Sequence, residues 1–218
     1  GIDFYRSFPV GWSWFSMNIM MDDMTLGNVL SCSTSGDYIK NQVASAEYYS
    51  GYGWFGELSE IDPTELYKLK IQNICDINKK GWAVDVAATP IDLVPGWNWI
   101  GYLPQGPIPI DEALSSVTFT TDDYIKNQTA SSTYYEGYGW FGEQLPNLLP
   151  SDGYMMKVAN AGTIIYPTSS GKKSSSLIST GEENTFFNPY DYEFNGSLTA
   201  KILVNGIIKG SENDKLIA

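Results

Sequence analysis

The chain has no histidine. That absence removes any Ser-His-Asp or Cys-His nucleophilic site. It also removes His-ligated zinc, copper or iron. Cysteine is nearly absent too, with only Cys32 and Cys75, both in the first half. Two cysteines cannot build a four-cysteine metal centre. Their spacing permits a disulfide in an oxidising compartment but does not fix the Cα geometry such a bond needs. Basic residues are sparse: 13 Lys and Arg stand against 25 Asp and Glu, for a net charge of −12. No basic stripe runs along the chain to neutralise phosphates, which argues against nucleic acid as a partner. An anionic membrane surface would repel it. No apolar run approaches the ~20 residues that span a bilayer, so no membrane insertion is expected. No signal-peptide pattern is visible. The chain opens at Gly1 inside what reads as a module, so processing could have removed one.

What is present is repetition. Asp37-Tyr-Ile-Lys-Asn-Gln42 recurs unchanged at 123–128, and Gly51-Tyr-Gly-Trp-Phe-Gly-Glu57 recurs unchanged at 137–143. Gly11-Trp12-Ser13-Trp14 matches Gly96-Trp97-Asn98-Trp99, and Pro63…Tyr67…Lys70 matches Pro150…Tyr154…Lys157. The offset drifts from about 84 to about 87 residues, the mark of one duplicated unit with small insertions. Duplicated modules serve spacing, binding or avidity more readily than catalysis.

The aromatic content is high, with 7 Trp, 15 Tyr and 9 Phe, and few residues are charged. That composition fits a β-rich extracellular protein. Each module reads as four to six short strands with one small helix, an α+β unit that is mainly β. The second helix is expected from an N-cap at Asp111 through Val117, with Ile110, Leu114 and Val117 on one face. Its counterpart is Leu26 to Leu30. Asp123 to Tyr135 reads as a strand, followed by a Gly-bearing turn and a strand from Trp140, a β-hairpin. The expected boundaries are 1–88 for the first module and 89–167 for the second. A Ser/Thr/Gly linker follows at 168–185, and a further β domain begins at 186–218. Asn205-Gly206 in that last stretch signals a hairpin.

The repeated rings and amides are the candidate binding residues. Tyr52, Trp54, Tyr138 and Trp140 crowd the hairpin tips, where loops face solvent and planar rings can stack on sugar faces. Lys40, Asn41, Gln42 and their copies Lys126, Asn127, Gln128 could donate to sugar hydroxyls. The plainer reading is a solvated strand face whose amides bond a neighbouring backbone. The Trp12/Trp14 and Trp97/Trp99 pairs, two apart on a strand, are expected to fill each module's interior. The repeated acids are Asp37/Asp123, Glu57/Glu143 and Glu65/Asp152. A glycosidase needs only two carboxylates, but two complete sites in modules this small would be unusual, and catalysis is not expected. No cofactor is implied. Calcium at Asp22-Asp23, Asp122-Asp123 or Asp76-x-Asn78 has no support from an EF-hand spacing.

Gly-Trp-Asn-Trp-Ile at 96–100, Asp-Tyr-Ile-Lys-Asn-Gln at 123–128, the Gly-Trp-Phe-Gly hairpin at 139–142 and Asp-Gly-Tyr at 152–154 resemble tandem modules of large secreted Bacteroidetes proteins. Asn188-Pro-Tyr-Asp-Tyr-Glu-Phe194 and Asn213-Asp-Lys-Leu-Ile-Ala218 resemble the opening of another module found beside them. The first copy departs from the pattern, with Glu65-Leu66 in place of Asp-Gly. The resemblance implies export by the type IX route and display on the cell surface or release; it implies no catalytic residues. The sequence thus points to a non-catalytic extracellular repeat region of a larger surface or secreted protein, acting in adhesion or as a spacer. Its partners would be that protein's other domains and a polysaccharide or surface protein. The alternative is a tandem carbohydrate-binding module that stacks sugars on the hairpin-tip aromatics.

Overall fold

A computed structural model describes residues 1–142 and 145–168, together with the backbone of 203–204 and 207–208. The protein is mainly β. The first module holds β1 (Ile2–Phe8), β2 (Gly11–Phe15), β3 (Ile19–Met20), α1 (Leu26–Val29), β4 (Tyr38–Lys40), β5 (Ser45–Tyr49), β6 (Gly53–Gly56), β7 (Tyr67–Ile71) and β8 (Cys75–Ala83). The second holds β9 (Ile91–Leu93), β10 (Gly96–Gly101), β11 (Ile108–Pro109), α2 (Ile110–Ala113), β12 (Tyr124–Lys126), β13 (Ser131–Tyr135), β14 (Gly139–Phe141), β15 (Asn147–Leu148), β16 (Gly153–Val158) and β17 (Gly162–Ile164). There are more strands per module than the aromatic runs suggested. Beyond them, β18 (Leu203–Val204) pairs antiparallel with β19 (Ile207–Ile208), the expected hairpin. The rest of the expected linker and third domain lies outside the described residues.

The repeat in sequence is a repeat in topology. One five-stranded antiparallel sheet has the order β2-β7-β4-β5-β6 and the other β10-β16-β12-β13-β14. Strand for strand they are the same sheet. The β1–β8 ladder, which ends on the pair Phe8–Cys75, has its shorter counterpart in β9–β17, which ends on Leu93–Gly162. Each sheet has one apolar face. Phe15, Tyr67, Leu69, Ile39 and Ala46 form part of one core, and Ile100, Tyr154, Met156 and Ile125 take the same places in the other. Period-two alternation sends their neighbours to the opposite face.

The expected strand from Asp123 to Tyr135 is two strands. Asn127 breaks it: its Oδ1 accepts from the backbone N–H of Thr129 (3.0 Å) and Ala130 (2.7 Å), closing a tight turn. Asn41 does the same for Val43 and Ala44. Asparagine supplies this turn without glycine or proline. The helices are also shorter than expected. α2 is one turn that starts at Ile110, with Asp111 inside it and not at its cap. The Asp111 carboxylate instead accepts from the Trp140 N–H across to the hairpin, at 3.3 Å.

Cys32 and Cys75 form a disulfide, with Cα atoms 5.7 Å apart. It ties the loop after α1 to β8. In the second module the position matching Cys32 is Ser116, two residues beyond Leu114 as Cys32 is two beyond Leu30. Its hydroxyl donates to Thr163 O (3.2 Å) and accepts from Ile165 N (2.8 Å), tying the same loop to β17 by hydrogen bonds. Among the described residues no helix is long and apolar enough to cross a membrane.

Candidate functional site: two aromatic sheet faces

The tip of each hairpin is set by glycine. Gly51 and Gly137 hold φ of +81°, which an L side chain resists. At the far end of each hairpin, a Cβ on Gly56 would come within 2.1 Å of Ser45 O, and one on Gly142 within 2.2 Å of Ser131 O. The hairpin strands therefore approach too closely there for any side chain.

Alternation then divides the rings. Trp54 and Trp140 point inward. Trp140 packs edge-on against Phe119 (4.8 Å between centroids) and Tyr134 (5.4 Å), and Trp54 packs on Tyr48 at 5.5 Å. Both rings lie against their module's core. Tyr52 and Tyr138 stand out from the tips, 82% and 81% exposed. The outward partners of the tryptophans are Phe55 and Phe141, which sequence reading passed over. Each sits edge-to-face with a tyrosine of the adjoining strand, Tyr49–Phe55 and Tyr135–Phe141, both at 5.8 Å. All four rings are exposed. The missed signal was parity: in Gly-Trp-Phe-Gly, the residue next to an inward tryptophan must face out.

The outward faces continue across each sheet. Strand registers align Trp97, Lys157, Tyr124, Thr133 and Phe141 in one row. The first module aligns Trp12, Lys70, Tyr38, Glu47 and Phe55. Trp12 stands 6.3 Å edge-on from Tyr38, and Trp97 stands 6.2 Å from Tyr124. Four steps of about 4.8 Å make each row about 19 Å long. Glu47 also pushes the Tyr49 phenol above its usual range, by its charge and by a hydrogen bond.

The repeated polar string has a different task. Gln128 reaches from the β12–β13 turn to the free edge of β2. Its Nε2 donates to Trp12 O and its Oε1 accepts from Trp14 N, both at 2.8 Å. Gln42 does the same to β10, donating to Trp97 O and accepting from Trp99 N, both at 2.8 Å. Each side-chain amide stands in for one peptide unit of a missing neighbour strand. Backbone bonds repeat the symmetry: Ser16 N to Ser151 O at 3.1 Å, and Gly101 N to Thr64 O at 2.7 Å. The two modules thus meet as an internal pseudo-dimer, the same patch used twice.

Between them lies a layer of tryptophan and lysine. Trp14 and Trp99 do not fill module interiors, as expected of them, because Phe15 and Ile100 beside them take the inward positions. Lys68 is fully buried, its Nζ 4.1 Å from the Trp14 ring centroid and 4.4 Å from that of Trp99. Lys40 lies 5.9 Å from Trp99, and Lys126 lies 5.5 Å from Trp14. The position matching Lys68 in the second module is Met155, which packs with Trp14, Leu66 and Trp99. Lys68 and Met155 take matching places in the layer, beside the half-buried Lys40 and Lys126. A lysine at 155 would add a buried like charge to those already there.

The repeated acids hold turns. Asp37 accepts from Thr34 N and Gln72 N, and Asp123 accepts from Thr120 N and Ala159 N, all at 2.8 Å. Glu65 accepts from Asn41 Nδ2 (2.7 Å) and the Tyr67 hydroxyl (2.9 Å). Asp152 accepts from Asn127 Nδ2 (3.1 Å) and lies 3.5 Å from Arg6. Burial raises the Asp152 carboxyl, and Arg6 and Asn127 only partly offset that. Glu57 is exposed at the hairpin base, and Glu143 lies outside the described residues. Among the described residues no group of three or more Asp, Glu or Cys side chains has the arrangement of a metal site. An open cavity of about 590 Å³ in the first module is lined by Met24, Ile61, Tyr67, Asp62 and Glu65. Its Asp62 already accepts from Thr64, and its Glu65 from Asn41.

No protein-family model, curated protein or solved structure matches the chain.

Proposed function

We propose that this chain is the non-catalytic, adhesive region of a larger secreted or cell-surface protein. It would be a rigid double module that presents two like aromatic faces to one surface partner. The observation that carries this reading is the pair of exposed ring sets, Tyr49, Tyr52, Phe55 and Tyr135, Tyr138, Phe141, in one fold and one register. Exposed apolar patches of this kind mark interaction sites, and two copies on a fixed frame give avidity. The disulfide supports an oxidising, extracellular setting. The resemblance to tandem modules of secreted Bacteroidetes proteins points the same way. The use of the repeated acids as turn ties supports a role without catalysis. A pure spacer would have no reason to keep large rings in water at both tips.

The test is retention of the intact chain on insoluble polysaccharides and on cell-envelope preparations. Saturable retention, lost when both ring sets are changed to Ala in a chain that still folds, supports the adhesive reading. Retention that survives those changes would overturn the assignment of adhesion to these rings, and none on any surface leaves the duplicated module as a spacer.

A further inference from the structure

The outward sheet faces invert the charge of the molecule. The chain carries 25 acidic and 13 basic residues. Yet the outward positions of the two five-stranded sheets hold Lys40, Lys68, Lys70, Lys126 and Lys157 against one acid, Glu47. Three of those lysines face the tryptophan layer between the modules. Lys70 and Lys157 are exposed. The two rows then differ in two ways. Trp12 is 9% exposed, whereas Trp97 is 39% exposed. And Glu47 in the first row is replaced by Thr133 in the second. The second module's row is therefore longer in open rings, and its only charge is positive.

Resting on the adhesive reading above, we propose that the second module's row, Trp97–Lys157–Tyr124–Thr133–Phe141, binds an extended polysaccharide that carries carboxylates. A sugar ring has an apolar C–H face and a rim of hydroxyls. The rings of Trp97, Tyr124 and Phe141 meet the face, and the hydroxyls of Thr133 and Tyr124 meet the rim. The Lys157 ammonium, between Trp97 and Tyr124, meets a uronate carboxylate. A row of about 19 Å spans several sugars. Charge complementarity selects an anionic chain, and a single open ammonium selects one of sparse charge. A nucleic acid carries a phosphate at every nucleotide, and one lysine releases too few counterions to hold it.

Affinity electrophoresis of the full chain in gels containing gellan, a polysaccharide with one uronate in every four sugars, tests the proposal. Retardation is expected, weakening with added salt. Lys157→Gln should bind roughly ten-fold more weakly, the loss of one charge-assisted hydrogen bond. Trp97→Ala should weaken binding by a similar factor. Lys70→Gln, the matching change in the first module, should leave it unaltered. Lys157 is exposed, so its variant should unfold at the wild-type denaturant concentration. Equal retardation by a neutral polysaccharide would overturn the assignment of charge. Equal or stronger retardation by single-stranded DNA would overturn the polysaccharide. Retention on insoluble surfaces through the hairpin-tip rings, with no retardation by gellan, would overturn this inference and leave the adhesive reading standing.

Discussion

Gln128→Ala is the sharpest perturbation of the frame that holds the two faces. Gln128 is 8% exposed and serves two backbone groups at the edge of β2. Truncation leaves Trp14 N–H and Trp12 C=O without those partners in a space closed by the second module. Each unsatisfied buried group costs about 1–3 kcal/mol. With some water entry at the rim, the sum is about 2–4 kcal/mol. Gln42→Ala removes the mirror-image pair of bonds, but Gln42 is exposed, so water replaces the amide. Its cost should be about 1 kcal/mol. Gln128→Glu should be at least as damaging as the alanine variant, because a carboxylate oxygen would then face the Trp12 carbonyl. Urea unfolding of the three variants, followed by tryptophan fluorescence, gives the comparison. Equal costs for the two alanine variants, or a Gln128→Ala cost below about 0.5 kcal/mol, would refute the claim that side-chain amides close the module edges.

Other consequences follow from the same contacts. Trp140→Ala should destabilise the protein by about 3 kcal/mol, the low end for a large ring, because the ring is only partly buried. Tyr138→Ala should stay within about 0.5 kcal/mol of wild type, and guanidinium unfolding of the pair checks both. Reducing the Cys32–Cys75 bond should cost about 4 kcal/mol by the loop-entropy estimate for a 43-residue separation. The loss should appear in unfolding curves with and without reductant. Met155→Lys should destabilise by about 3 kcal/mol or more, since it adds a buried cation to the lysines already beside Trp14 and Trp99. Burial raises the phenols of Tyr67, Tyr102, Tyr154 and Tyr166 above the ordinary value of 10.0. The native state therefore holds those protons more tightly than the unfolded chain. Their contribution is complete below pH 10 and is lost as the pH rises through the raised values. Denaturant midpoints should fall steadily above about pH 10, with phenolate absorbance growing only as the chain unfolds.

Much of the module was legible because it is local. The hairpin at 45–56 and its copy followed from Gly-Tyr-Gly between aromatic runs, and the second module's existence followed from identical strings. The turn at Asn127 was not legible, because an asparagine side chain can fold back on its backbone in a string that otherwise reads as one strand. The division between Trp140 and Phe141 was legible in principle. It needed only the parity of a strand whose other residues show which side is apolar. That Gln42 and Gln128 bond a neighbouring backbone was legible, but that this backbone is the other module's edge strand was not. It depends on how one module sits on the other, and no local pattern encodes that pose. The same holds for Trp14 and Trp99. Their size suggested a core, and they do lie under cover, but under the cover of the neighbouring module.

The central claim is that two equivalent ring faces act together. Depletion isotherms on an insoluble polysaccharide or envelope surface that retains the intact chain would test it most directly. Three chains are compared with wild type: Tyr49, Tyr52 and Phe55 changed to Ala, the same change at Tyr135, Tyr138 and Phe141, and both sets together. The account predicts partial retention for each single set, weaker than wild type by a factor that reflects lost avidity, and no retention for the double set. Full retention in the double set, in a chain whose unfolding curve matches wild type, would contradict it.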